Sequence, residues 1–264
     1  MPLPVIVICE LLGVPHEDRA QFEQWSEAFT SLTKLSRQEI EDYGVRMYGY
    51  MGELIAQRRQ DPQDDLISAL VFAQSDQGRM SEEELMLLCV GILVAGHETT
   101  GSQISNFVYL LLQHPELLAQ LQSDLDLVPS AVEELLRHVP LGASSVFPRY
   151  ATEDVDIGGV TVGAGDPVLV SLPAANRDRS VFSESETLLL DRHDNPHVTF
   201  GHGPHHCLGA HLARVELQVA VRTLLERLPG LRLAVPEPKV RWKTGLLVRG
   251  PLELPLDWDS GRDS

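Results

Sequence analysis

The sequence predicts a mainly α-helical protein with small antiparallel β-sheets, and three observations predict it. Apolar residues recur at helical spacing over about Glu17–Leu32, Arg37–Arg59, Ser81–Gln113 and Leu208–Leu228. Between Val146 and Leu172, and again from Leu231 to Leu256, the pattern shortens and alternates, broken in the first stretch by Gly158-Gly159 and Gly163-Ala164-Gly165, as in small strands joined by tight turns. No internal repeat, low-complexity tract or linker interrupts the chain, so one domain over residues 1–264 is expected.

Composition bounds the function. A chain of 264 residues can bury a sizeable core, and 43% hydrophobic content with mixed charge is that of a globular protein. The formal net charge of −17 argues against a nucleic-acid partner, which calls for clustered Lys and Arg. Cys9, Cys89 and Cys207 are widely separated and odd in number, which fits a reducing compartment and predicts a cytoplasmic protein. The longest purely apolar run, Leu85 to Ala95, is shorter than the roughly 20 residues of a spanning helix, so no membrane span is expected. Val5 to Cys9 lacks a basic flank and a small-residue cleavage site, and reads as the buried end of a helix cut off from something upstream.

In chain order, the first helix places Phe22, Trp25, Ala28 and Phe29 on its apolar face, and the second Ile40, Val45, Tyr48, Leu54 and Ile55. Ser81 with Glu84 forms a capping-box pattern that opens an unusually long helix, ended near Gln113 by Pro115. Within it, Gly96 and the pair Thr99-Thr100 are poor helix formers, and a hydroxyl bonded back to the preceding turn is expected to bend the helix there. Ser130 and Glu133 form a second capping-box pattern, opening a helix on which Glu134 and Arg137 share a face.

Cys207 stands between a turn built on Gly201, Gly203 and Pro204 and a helix carrying Leu212, Val215, Leu217 and Val219. A helix N-terminus favours a thiolate, the form that binds metal, and a single presented thiolate suits a haem iron. The residues alone also admit a buried apolar cysteine, a zinc site with His202, His205, His206 and His211, and a cysteine–histidine nucleophile.

The pattern Phe200-Gly-x-Gly-x-His205-x-Cys207-x-Gly209 resembles the haem-binding signature of the cytochrome P-450 monooxygenases. The resemblance extends to Asp64–Leu70, Ala95-Gly96-His97-Glu98-Thr99-Thr100, Glu134-x-x-Arg137 with Arg192, Arg149 to Gly159, and Ala175 to Asp178 with Phe182. It implies a cytochrome P-450-like fold and haem b (iron protoporphyrin IX) as cofactor. Cys207 would then be the axial thiolate, His205 and Arg149 propionate contacts, Phe200 the ring packed under the ligand, and Gly209 the point of close helix approach. Ala95 and Gly96 would line the distal face, Glu98 and Thr99 would relay protons to dioxygen, and Glu134, Arg137 and Arg192 would form a structural triad. Leu247, near the turn at Gly245, would face substrate.

The same resemblance implies a haem-thiolate monooxygenase that inserts one oxygen atom of O2 into a hydrophobic small molecule. No nicotinamide- or flavin-binding glycine motif is present, so a separate ferredoxin-type electron donor is expected. Relative to a usual member the chain lacks the N-terminal third, with early strands, helices and the loop roofing the substrate pocket. The alternative expectation is therefore a truncated haem-thiolate-like scaffold with impaired or no haem binding, a relic or an interaction subunit.

Overall fold

The computed structural model describes residues 3–77, 80–142 and 148–259, and its helices and strands pack as two units. The first unit takes residues 1–105 and 237–254. It contains α1 (Leu3–Leu12), α2 (Arg19–Thr30), α3 (Arg37–Gln60), α4 (Leu66–Gln77) and most of α5 (Glu82–Gln113). The two apolar stretches read as helices near residues 17–32 and 37–59 are α2 and α3, and the apolar start is α1.

Helix α3 opens on a capping box that the sequence reading passed over: Ser36 accepts from the Glu39 N–H while the Glu39 carboxylate accepts from the Ser36 N–H. Its buried face also differs from the expected one. Met47, Met51, Leu54 and Ile55 point into the core, whereas Val45 is 74% exposed because it lies on the opposite side of the 3.6-residue repeat, and Tyr48, at the edge of the buried face, is exposed. The core of this unit joins Ile8, Cys9 and Leu12 of α1, Phe22 and Trp25 of α2, the α3 methionines, and Leu85, Cys89 and Leu93 of α5.

Helix α5 begins as expected: the Ser81 N–H donates to Glu84 and the Glu84 N–H to Ser81 Oγ. It stays α-helical through Thr99 and Thr100 to Gln113. By length and mean hydropathy it is apolar enough to cross a membrane, although its longest purely apolar run is short. It also buries His97, Thr100, Ser102, Gln103 and Asn106, polar groups suited to a packed interior with partners.

The second unit takes residues 106–236 and 255–264. It holds α6 (Pro115–Ser123), α7 (Val128–His138), α8 (Leu172–Ala175) and α9 (Ala210–Arg227). Three two-stranded antiparallel ribbons accompany them: β1 (Arg149–Tyr150) with β4 (Pro167–Val168), β2 (Val155–Ile157) with β3 (Val160–Val162), and β5 (Arg232–Leu233) with β6 (Leu256–Asp257). The expected strand region begins at Val146, which lies outside the described residues; from Arg149 on, the strands and the Gly158-Gly159 turn are found, both glycines with positive φ.

The second capping box is not formed. Helix α7 starts at Val128 with Pro129 in its first turn, and Ser130 lies inside the helix, donating back to the Leu127 carbonyl. That leaves the Glu133 carboxylate for partners elsewhere in the unit. On α9 the buried positions are Ala210, Glu216, Leu217, Ala220, Val221 and Leu225, while Val215 and Val219, expected inside, are more than half exposed.

Candidate functional site

In the second unit the cysteine loop is built by backbone geometry. Gly201 and Gly203 both have φ +75°, which a side chain would strain, and Gly203 opens a short 3-10 turn ending at His205. The Cys207 N–H donates to the Phe200 carbonyl at 2.8 Å, closing the loop, and the Cys207 carbonyl accepts from Ala210 at the start of α9. The thiol is exposed, as are His205 and the adjacent Leu208. At Gly203 and Gly209 an added Cβ would meet no atom within 4 Å.

Phe200 is held from one face by Arg214, whose guanidinium sits 4.5 Å from the ring centroid. Arg214 donates to both oxygens of Glu133, and His197 Nε2 lies 3.0 Å from Glu133 Oε2. Sequence reasoning missed this cluster, because it had Glu133 capping its own helix. Thr199 is fixed as well, donating to the Leu136 carbonyl and accepting from Asn176 Nδ2.

The triad expected from Glu134, Arg137 and Arg192 is present and buried. Arg137 donates through Nε and Nη2 to Glu134 at 2.8 and 2.7 Å, and Arg192 Nε reaches Glu134 Oε2 at 3.0 Å. Arg137 also donates to the carbonyls of Asn176, Ser185 and Thr187, tying α7 to the segment that precedes the cysteine loop. Arg149, the other expected propionate contact, is exposed on β1.

In the first unit, Ala95, Gly96, Glu98 and Thr99 lie in one turn of α5. Ala95 is exposed, and the Thr99 hydroxyl donates to the Ala95 carbonyl, so the expected back-bond exists within an unbroken helix. Gly96 is covered on its Cα face by Ile8 of α1, whose Cδ1 and Cγ1 would stand 2.7 Å from an added Cβ. Buried His97 places Nδ1 3.3 Å from Ser26 Oγ. Glu98 is not a free surface acid: Oε2 accepts from Lys243 Nζ at 2.8 Å, and the two side chains are only 11% and 16% exposed. Leu247, expected near substrate, is half-buried, its N–H bonded to the Thr30 carbonyl.

Among the described residues no three His, Cys, Asp or Glu side chains converge as metal ligands. The zinc reading thus finds no ligand set there. What the loop does present is one soft sulfur donor on an open, glycine-lined surface beside apolar Leu208. That chemistry fits an iron whose remaining protein-independent ligands would come from a porphyrin.

A family model described as Cytochrome P450 matches residues 16–252. The mycinamicin IV hydroxylase/epoxidase of Micromonospora griseorubida is 56% identical over 97% of this chain and 64% of its own length. The nocardicin C N-oxygenase of Nocardia uniformis subsp. tsuyamanensis is 51% identical over 98% and 65%. The solved structure of the LnmA cytochrome P450 hydroxylase from the leinamycin pathway of Streptomyces atroolivaceus superimposes with a TM-score of 0.92 at 49% identity, covering 97% of this chain and 66% of that one. The chain thus spans slightly under two thirds of the length of these relatives.

Proposed function

The chain belongs to the cytochrome P450 family, and from that premise we propose that it carries the haem-thiolate and proton-handling parts of a monooxygenase acting on a hydrophobic small molecule. The observation that carries this reading is Cys207: a lone exposed thiol on a loop closed by its own N–H to Phe200, inside the pattern Phe200 to Gly209. The names of the relatives, a hydroxylase/epoxidase and an N-oxygenase, support oxygen insertion as the class of reaction.

In this reading Cys207 holds the iron of haem b, with His205 and Arg149 as partners for propionates, and Phe200, braced by Arg214, packed against the ligand loop. Gly209 keeps the start of α9 free of a side chain, and Ala95 keeps the distal face of α5 small, while Gly96 admits Ile8 of α1. When bound, haem supplies the activation of O2, one atom entering substrate and the other leaving as water.

The chain's own part is proton handling. The Thr99 hydroxyl commits its single proton to the Ala95 carbonyl, so it can accept from a donor as it stands, and can pass a proton on only by turning from that carbonyl. The Glu98 carboxylate, one residue earlier, is the nearest acid in sequence from which that hydroxyl is resupplied. Electrons come from a separate ferredoxin-type donor in the same proposal. Free thiols at Cys9, Cys89 and Cys207 support a cytoplasmic setting.

The test is the absorption spectrum of the purified chain after haem reconstitution, dithionite reduction and addition of carbon monoxide. A strongly red-shifted Soret band, lost in Cys207→Ala, is the expected outcome. No haem uptake, or a band typical of a neutral ligand, would favour the alternative: a haem-thiolate-like scaffold without oxygenase activity.

A further inference from the structure

Lys243 lies in the 237–254 segment that returns to the first unit, and its backbone is fixed on both sides. Its N–H donates to the Gly250 carbonyl at 2.9 Å, next to the bridge between Trp242 and Pro251. Two residues on, the Gly245 carbonyl accepts from the N–H groups of Leu32 and Thr33, and the Leu247 N–H donates to Thr30. From this anchored segment Nζ donates to Glu98 Oε2 at 2.8 Å and to Ser102 Oγ at 3.1 Å. Glu98 and Ser102 are four residues apart on α5, hence on one face. Gly250 permits the approach, since a Cβ there would stand 3.1 Å from Ser102 Cβ.

A glutamate has three rotatable bonds, and an unrestrained one divides its time among many rotamers. Here one carboxylate oxygen is tied to an ammonium whose own position is set by Ser102 and by a bonded backbone. We propose that Lys243 is a positioning residue for Glu98, fixing the rotamer from which its other oxygen exchanges protons beside Thr99. The inference rests on the reading of Glu98 as the acid of the relay, and adds to it a partner 145 residues later in the chain.

The experiment uses the full chain in two arms. Without haem, the 13C carboxyl resonances of labelled glutamate are recorded, Glu98 being assigned by its loss in Glu98→Gln. The Glu98 signal is expected to stand apart in the parent, to move to the position of exposed glutamates in Lys243→Met, and to stay near its parent position in Lys243→Arg. An unmoved signal in Lys243→Met overturns the inference. Should that variant fail to fold, Ser102→Ala carries the same test, with a smaller shift in the same direction expected and no shift overturning it.

With haem and reductant, the share of electrons recovered as hydrogen peroxide is expected to rise about three- to tenfold in Lys243→Met, because misplacing a proton-carrying group slows its step. A rise in Glu98→Gln without one in Lys243→Met overturns the role of Lys243. No rise in Glu98→Gln instead removes Glu98 from the relay, and the first arm then decides separately whether Lys243 orders it.

Discussion

Glu133 of α7 and Arg214 of α9 are joined at two points, Nε to Oε1 at 2.8 Å and Nη2 to Oε2 at 3.0 Å. The same guanidinium lies over the Phe200 ring, and the Phe200 carbonyl accepts from the Cys207 N–H. One carboxylate on α7 therefore braces the loop that presents the thiol. The bidentate geometry fixes the plane of the guanidinium as well as its position, which is what stacking on a ring requires.

Glu133 makes acid stability a readout of this brace. Burial alone would raise its carboxyl, but hydrogen bonds from His197 and Arg214, with their charges, outweigh burial and hold it at about 2, against an ordinary 4.5. Between those values the unfolded chain binds the proton and the folded one does not, so the contribution is complete above pH 4.5 and lost as pH falls to 2. Urea unfolding of the parent should lose about 2 kcal/mol more than Glu133→Gln across that window. Parallel pH profiles would refute the brace.

Arg137→Lys is expected to be severe. Arg137 is 1% exposed and spends its planar fork on both Glu134 oxygens and three carbonyls. An ammonium cannot reach those directions from one point, and it leaves the Glu134 carboxylate and the carbonyls short of donors in the interior. The loss of unfolding free energy should be about 3–5 kcal/mol, the range for breaking a buried pair. A loss below about 1 kcal/mol in chemical denaturation would show the network to be replaceable.

The difference between this triad and the Glu133 brace shows what was legible. Glu134 and Arg137 are three residues apart on one helix, so their meeting follows from helical geometry, and the long runs that became α2, α3, α5 and α9 follow from periodicity. Glu133 was misassigned because Ser130 and Glu133 satisfy a capping pattern, while Pro129 and Val128 start the helix earlier. The partnership of Lys243 with Glu98 has no local signal at all. It exists because the segment 242–250 is bonded to residues 30–33 and approaches Ser102 at Gly250. The buried faces of α3 and α9 were drawn from the most hydrophobic residue types, yet Val45, Val215 and Val219 are exposed, since tertiary packing picks the face.

Glu216 gives the opposite pH slope in a window that does not overlap the first. It is 6% exposed on α9, Oε2 has no hydrogen-bond partner, and burial pushes its carboxyl up to about 7. From pH 4.5 to 7 the folded chain holds the proton that the unfolded chain has released, so stability is complete below 4.5 and is lost as pH rises through 7. The parent should lose roughly 2 kcal/mol between pH 4.5 and 8, and Glu216→Gln should remove that slope. A parent profile already flat there would mean the carboxylate finds a partner or water.

Thr99→Ala separates proton supply from cofactor binding. Among the described residues the hydroxyl donates to the Ala95 carbonyl of its own helix, so its loss should leave α5 and the haem-loaded spectrum unchanged. Hydrogen peroxide per electron should rise about tenfold, less than the roughly 100-fold or more that a positioned proton donor contributes to a rate, because the neighbouring Glu98 is retained. Equal coupling of reductant to product in variant and parent would remove Thr99 from the relay.

Gly96→Ala tests why a glycine stands in mid-helix. Intrinsic propensity favours alanine there by about 1 kcal/mol. Against that, the new Cβ would fall 2.7 Å from Cδ1 and Cγ1 of Ile8, itself 3% exposed in the core, so either that side chain leaves its rotamer among packed neighbours or α1 shifts. Overpacking of this kind costs about 1–3 kcal/mol, so a net destabilisation is expected in thermal or urea unfolding. Ile8→Ala removes both opposing atoms and on its own leaves a cavity costing about 2–5 kcal/mol. The double variant should then be more stable than the sum of the single losses by about 1–2 kcal/mol, since the added methyl occupies space that the isoleucine gave up. Strict additivity would mean that Gly96 is not there to admit α1, and that its small size serves the distal face instead.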